Sequence, residues 1–154
     1  MKRYLCCLLI GIVAAGSFAT ACGAETLVCK YQQTFKDGGS RDAGLELTVQ
    51  GGEVTGIDYF NAIASGKEGG GYVCAIDAKA SDGKSVWTRK KDLTVVELTE
   101  SAGIRKSTFE IRKSPKGYIV SFVDMSSHYC GFGAEFPVSV RIEKGRKSCR
   151  MKFE

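Results

Sequence analysis

The chain has 154 residues, of which 44% are hydrophobic and 25% are charged, and this ordinary globular composition excludes a disordered protein. The length suits one domain with a substantial core. Nineteen glycines, eight phenylalanines and six tyrosines are typical of aromatic-containing strands joined by many turns.

The first 21 residues are typical of a secretory signal peptide. Lys2 and Arg3 give a positive start, an apolar stretch follows, and small residues lead up to Ala21. The apolar stretch is shorter than the roughly 20 residues that a membrane-spanning helix needs, and no later stretch is long enough to span a bilayer. We therefore expect residues 1–21 to be removed and residues 22–154 to form a single exported domain.

The exact processing is open between three alternatives. Cleavage after Ala21 or after Ala24 gives a soluble chain, whereas lipoprotein processing makes Cys22 the acylated N-terminus of an outer-membrane lipoprotein. We favour a soluble chain in the periplasm or cell envelope of a Gram-negative-type bacterium. Without Lys2 and Arg3, 20 basic residues remain against 17 acidic ones. This net charge of +3 falls short of the basic face expected of a nucleic-acid-binding protein.

Short runs in which polar and apolar residues alternate recur along the rest of the chain, and this is the pattern of half-buried β-strands. We find no apolar spacing of an amphipathic helix and no internal repeat. The expected strands are 26–35, 45–49, 54–60, 72–78, 86–98 with a break at Lys90-Lys91, 104–111, 118–123, 136–142 and 148–153. Turn residues at 51–52, 81–84 and 114–117 predict three hairpins. We predict an all-β fold, an antiparallel sandwich or barrel of about eight or nine strands.

Besides Cys22, the expected mature domain contains Cys29, Cys74, Cys130 and Cys149. Four cysteines allow three pairings, and the sequence leaves all three open. Because no Cys-x-x-Cys spacing occurs among them, we expect structural disulfides rather than a redox motif or a zinc site. We favour Cys29 with Cys149, which closes nearly the whole domain, and Cys74 with Cys130.

Residues suited to catalysis are scarce. The one histidine of the chain, His128, lies two residues before Cys130. A lone histidine cannot supply a usual zinc or iron site, and an exported cysteine is more often oxidised than nucleophilic. The glycine-rich segment 68–71 lacks the Lys-Ser/Thr of a phosphate-binding loop. We therefore expect a binding protein that uses no metal or cofactor, and not an enzyme.

Two loops carry hydroxyl and aromatic side chains suited to binding a protein partner, one at residues 64–72 and one at residues 126–136. The candidate binding residues are Ser65, Gly66 and Tyr72 in the first loop and Ser126, Ser127, His128 and Tyr129 in the second. A disulfide at Cys130 makes the second loop rigid. Since a rigid loop loses little entropy on binding, it is suited to act as a clamp or a plug.

The β-rich pattern, the exported size and the cysteines near both ends of the domain resemble the bacterial periplasmic lysozyme inhibitors, the MliC, PliC and PliI group. Those inhibitors share a Ser-Gly-x-x-Tyr or Ser-Gly-x-Tyr loop that enters the lysozyme cleft. Ser65-Gly66 matches the start of that loop, with its tyrosine at Tyr72. The segment from Ser126 to Tyr129 has the matching spacing, with Ser127 in place of glycine. The segment 86–90 is similar to the Thr-Lys-Gly segment of the c-type inhibitors, without its glycine.

This resemblance implies a protein that inserts one loop into the active-site cleft of lysozyme. Either Ser126 and Tyr129 or Ser65 and Tyr72 then bond the two carboxylates that flank the scissile sugar bond. Because animal c-type lysozymes are strongly basic, a partner with a charge of +3 gains no long-range attraction to them, and invertebrate-type lysozyme is the favoured target. The alternative is an envelope structural or adhesion protein whose loops bind another protein or a glycan.

Overall fold

Alternating polar and apolar residues build ten strands in the part of the chain that the computed structural model describes, which is residues 23–66, 69–99, 106–130, 135–146 and 149–153. The all-β prediction is confirmed, with one strand more than the expected eight or nine. A short 3₁₀ helix, Ser127–Tyr129, is the one helical element among these residues. The predicted signal segment and Cys22 lie outside them.

The strands form two antiparallel sheets. The first sheet has the order β1-β2-β3-β4 and contains β1 Glu25–Thr34, β2 Ser40–Gln50, β3 Glu53–Ala64 and β4 Gly71–Lys79. The second sheet has the order β10-β9-β8-β7-β6-β5 and contains β5 Ser85–Lys90, β6 Leu93–Leu98, β7 Thr108–Ser114, β8 Gly117–Asp124, β9 Ser139–Glu143 and β10 Arg150–Lys152. The break expected at Lys90-Lys91 separates β5 from β6.

The turn at 81–84 is not a hairpin, and that prediction is wrong. The turn chemistry itself is present, because the Asp82 carboxylate accepts hydrogen bonds from the backbone N–H groups of Lys84 and Lys79. Both bonds lower the pKa of Asp82, and the bond from Lys84 has the larger effect. The turn connects β4 in the first sheet to β5 in the second. Turn residues reverse the direction of the backbone, but they do not determine which strand the next segment pairs with.

Each strand buries one face in a core that both sheets share. Side chains alternate across a strand, so every second residue points inward. The buried residues include Leu27, Leu45, Leu47, Ile57 and Ile76 from the first sheet and Val96, Phe109, Ile111, Val120 and Val140 from the second. The ring of Tyr59 on β3 contacts that of Phe122 on β8 edge-on, with centroids 4.9 Å apart. The two sheets therefore pack face to face as a sandwich.

Two disulfides tie the edges of the first sheet to the second sheet. Cys29 on β1 is bonded to Cys149, which directly precedes β10. Cys74 on β4 is bonded to Cys130, which follows the 3₁₀ helix between β8 and β9. These are the two pairings favoured from the sequence. Since β1 and β4 are the two edge strands of the first sheet, each edge has its own covalent link across the sandwich.

Removing either disulfide should destabilise the domain to a similar extent. The bonded cysteines are 120 residues apart in one case and 56 in the other. Because the chain-entropy contribution grows only with the logarithm of loop length, we expect each to stabilise the fold by about 4–5 kcal/mol. Urea unfolding of the Cys29→Ala/Cys149→Ala and Cys74→Ala/Cys130→Ala double variants measures both values. A difference above about 2 kcal/mol between the two variants would contradict this expectation.

Candidate functional site

Both predicted loops are attached to strand β4. The first loop joins β3 to β4, and the second is fixed to β4 by the bond from Cys74 to Cys130. At the same end of the first sheet, the β1–β2 turn lies beside the first loop, because Ser40 on β2 pairs with Ala64 on β3. The fold thus brings together two segments that are about 60 residues apart in sequence, at one end of β4.

Ser65 lies on the exposed part of the first loop, which is held in place by the adjacent turn. Its backbone N–H donates to the carbonyl oxygen of Gly70 at 2.8 Å and extends the β3–β4 hairpin. Gly66 packs directly on the β1–β2 turn, where a Cβ atom on Gly66 would lie 2.2 Å from the carbonyl oxygen of Asp37. Glycine is therefore required at position 66 for this contact. The result is an exposed serine whose backbone is held at residues 65 and 66.

Tyr72 does not project beside Ser65. It is half-buried against the core on the same face of β4 as Cys74, and its hydroxyl accepts a hydrogen bond from the backbone N–H of Glu135 at 3.1 Å. The resemblance implied that the Tyr72 hydroxyl bonds a lysozyme carboxylate. In the structure this hydroxyl already has a hydrogen-bond partner within the domain. Tyr72 joins the first sheet to the end of the second loop.

The second loop is braced by hydrogen bonds of its own. The backbone N–H of Ser126 donates to the hydroxyl of the buried Ser107 at 2.8 Å, and the Ser126 hydroxyl accepts from the backbone N–H of His128 at 3.2 Å. Ser127 starts the 3₁₀ helix that this bond caps. Ser126 and Tyr129 are half-buried, and His128 is exposed with its ring 5.7 Å from that of Tyr129. Of these three residues, His128 alone is exposed to solvent.

A buried polar cluster, formed by Arg41, Asn61 and Tyr72, holds Glu135 by three different groups. Tyr72 accepts from the Glu135 N–H, and the Asn61 side-chain amide donates to the Glu135 carbonyl at 3.0 Å. The Arg41 guanidinium donates to the Glu135 carboxylate at 3.1 Å and lies 3.7 Å from the ring centre of Phe153. The second loop is consequently anchored on both flanks, at Cys130 and at Glu135.

The sequence analysis missed this cluster although the sequence carries a signal for it. On β2, Arg41 falls in the same alternating phase as Leu45 and Leu47, which predicts an inward position. On β3, Asn61 shares its phase with Ile57 and Tyr59 in the same way. A polar residue in the apolar phase of a strand is buried and needs a partner, since burying it unpaired costs free energy.

Not every polar atom of the cluster forms a hydrogen bond with a described residue. Nε of the buried Arg41 has no hydrogen-bond partner among the described residues, whereas the Asn61 side chain interacts with the hydroxyl of the buried Tyr59. Burial raises the pKa of Tyr59 well above its ordinary value, so this side chain is neutral at physiological pH. Incomplete pairing of buried groups is tolerated in native proteins where positioning matters more than stability.

No protein-family model, curated protein or solved structure matches the chain. Across residues 23–153, apart from the gaps given above, no group of histidine, cysteine and acidic side chains is arranged to hold a metal ion. Among the same residues, no helix is both long and apolar enough to cross a membrane. The segment 86–90 lies on β5, at the opposite edge of the second sheet from β10.

Replacing Arg41 should destabilise the fold more than replacing an exposed arginine. Arg41 is 7% exposed and bonds Glu135, whereas Arg112 is 59% exposed and lies 4.0 Å from Glu110. Because a hydrogen bond to a charged group contributes about 1.5–3 kcal/mol and the exposure of Glu135 partly screens this one, we expect Arg41→Met to lower the free energy of unfolding by about 1–2 kcal/mol. The matched control Arg112→Met should change it by less than about 0.5 kcal/mol. Urea denaturation of both variants checks this, and equal effects would contradict the proposed anchor.

An alanine at position 66 should loosen the first loop. The added methyl group cannot fit against the Asp37 carbonyl, so we expect Gly66→Ala to lower the free energy of unfolding by about 1–3 kcal/mol. It should also speed amide hydrogen exchange at Gly39, whose N–H donates to the Asp37 side chain. Ser65→Ala, at an exposed neighbouring position, is the control and should change neither quantity. Unchanged exchange at Gly39 in Gly66→Ala would show that the contact does not fix the loop.

Proposed function

We propose that this chain is an exported inhibitor of lysozyme that inserts the loop bearing Ser65 and Gly66 into the active-site cleft, and that invertebrate-type lysozyme is its target. One observation carries the proposal: Ser65 is exposed, and its backbone is held by the hydrogen bond to Gly70 and by the packing of Gly66 on the β1–β2 turn. A loop that is already ordered loses little conformational entropy when it binds.

The chemistry of a serine hydroxyl suits the lysozyme cleft. Glycoside hydrolases place two carboxyl groups on either side of the scissile bond, one protonated and one ionised during the reaction. A hydroxyl donates one hydrogen bond and accepts others, so it can bond both carboxyl groups at once. The loop that bears Ser65 is also rich in glycine, at Gly66, Gly69 and Gly70, with Lys67 and Glu68 between them.

The choice between the two loops follows from the use of their hydroxyl groups within the domain. The Ser126 hydroxyl caps the 3₁₀ helix and Ser126 is half-buried, whereas Ser65 is exposed. We therefore assign the inserted group to Ser65. Tyr72 is a positioning residue in this proposal, since its hydroxyl is bonded to Glu135. The exposed His128 is placed to contact the rim of the cleft.

The test is an assay of cell-wall lysis with the purified exported protein and c-type, g-type and invertebrate-type lysozymes. We expect inhibition of the invertebrate-type enzyme at or below micromolar concentration. Ser65→Ala should weaken inhibition by about 10- to 100-fold, the effect of losing a hydrogen bond to a charged group. The matched control Ser121→Ala, on the outer face of β8, should inhibit like the unmodified protein.

Two outcomes would reject the proposal in different ways. No inhibition of any lysozyme at micromolar concentration would remove the inhibitor function altogether. Inhibition that is lost in Ser126→Ala but kept in Ser65→Ala would retain the function and reject insertion of the first loop.

A further inference from the structure

Three turns of the second sheet lie side by side at one end of the sandwich. They are the β5–β6, β7–β8 and β9–β10 turns, at residues 90–93, 114–117 and 143–146. The backbone N–H of Lys113 donates to the carbonyl of Asp92 at 2.7 Å, and that of Lys144 donates to the carbonyl of Lys116 at 2.9 Å. Main-chain hydrogen bonds thus fix the three turns in one row.

This row has an excess of unpaired positive charge, and we call it the lysine end. Its exposed lysines are Lys90, Lys91, Lys113, Lys116 and Lys144. None of the five has a carboxylate of the described residues within 4.0 Å, whereas the two arginines nearby, Arg89 and Arg146, are paired with Glu53 and Glu143. The exposed acidic residues left to oppose the five lysines are Glu25 and Asp92.

The fold determines the positions of these lysines. Lys91 has a φ of 50°, which residues other than glycine, asparagine and aspartate adopt rarely. The Lys144 ammonium lies 5.8 Å from the ring centre of Tyr118, whose hydroxyl donates to the carbonyl of Gly52. Lys91 and Lys113 also line a cavity of about 220 Å³ beside Gly52. Lys91 thus occupies a turn position where glycine or asparagine would relieve the backbone.

The start of β1 lies at the lysine end. Glu25 and Thr26, at the start of β1, line a groove of about 630 Å³ together with Gly145 and Arg146. The loop bearing Ser65 lies at the other end of the first sheet, because Ser40 pairs with Ala64 and Gln50 with Glu53. At a rise of about 3.3 Å per residue, the 11 residues of β2 separate the two ends by roughly 35 Å.

We propose that the lysine end docks on an anionic lipid surface through the phosphate groups of the lipids. Lysines beside a membrane gain favourable energy from its negative surface potential, and their contributions accumulate when several lie at the same depth. Lysine ammonium groups are compact point charges, which suits phosphate contacts that need no fixed geometry. A single-stranded nucleic acid would instead need exposed aromatic rings for stacking, and Tyr118 is buried beneath Lys144.

Docked in this way, the protein directs the loop bearing Ser65 away from the membrane. The proposal does not rest on the lysozyme-inhibitor function, because it concerns the opposite end of the sandwich. Docking through the lysine end also does not require acylation of Cys22, because the charges belong to the folded domain.

The experiment is co-sedimentation of the purified exported protein with vesicles of phosphatidylglycerol and phosphatidylcholine, and with vesicles of phosphatidylcholine alone. We expect binding to the anionic vesicles only. Binding should fall steeply between about 0.1 M salt, where the Debye length is about 10 Å, and about 1 M salt, where it is about 3 Å. Each lysine near the surface contributes about fivefold to partitioning, so Lys113→Gln/Lys116→Gln/Lys144→Gln should bind roughly 100-fold more weakly.

The matched control is Lys36→Gln/Lys84→Gln/Lys106→Gln, which changes the net charge equally at exposed sites away from the lysine end. It should bind anionic vesicles nearly as well as the unmodified protein, and circular dichroism confirms the fold of both variants. Equal loss in the two triple variants, binding to neutral vesicles, or insensitivity to salt would overturn the proposal. Tighter binding to duplex DNA than to anionic vesicles at equal phosphate concentration would do the same. The salt and lipid comparisons use the unmodified protein, so they decide the matter even where a variant fails to fold.

Discussion

The attachment of strand β4 to the second sheet sets the geometry of the loops. An edge strand has one side without a strand neighbour, and in many proteins it is left to solvent. Here β4 has two attachments on its inner face, the covalent bond from Cys74 to Cys130 and the hydrogen bond between Tyr72 and Glu135. Because both attachments lie within three residues of each other on β4, the second loop follows the position of this strand. The first loop does the same, since β4 is its continuation.

This arrangement carries an energetic cost that the core alone would not require. Arg41 and Asn61 occupy inward positions that apolar residues would fill, and Nε of Arg41 has no partner among the described residues. Glu135 is 61% exposed, so the ion pair with Arg41 is partly screened by water and contributes less than a fully buried pair. The two residues therefore serve position more than stability. Three separate bonds to one residue fix its orientation as well as its distance, which a single contact cannot do.

The fold was predictable from the sequence to the extent that local patterns determine it. Alternation placed most of the strands, and the cysteine positions near the ends of the domain favoured the pairing that closes it. The pattern does not determine which strands pair, and for this reason the turn at 81–84 was predicted as a hairpin although it links the two sheets. Sequence motifs singled out Ser65 and Tyr72 together. They could not separate an exposed hydroxyl from one bonded inside the domain, because that difference depends on Glu135, 63 residues further along the chain.

A sandwich with long strands can keep the two proposed binding surfaces apart and still hold them in a fixed relation. The lysine end is formed by turns of the second sheet, whereas the loop bearing Ser65 belongs to the first. Tyr118 and Arg89 of the second sheet bond the carbonyl groups of Gly52 and Val54, at the end of the first sheet nearest the lysines. The antiparallel ladder of β2 and β3 then runs unbroken, apart from one irregularity at Thr48/Val49, to the opposite loop. Rigid strands transmit orientation better than flexible linkers, so a contact made by the lysines determines where Ser65 points.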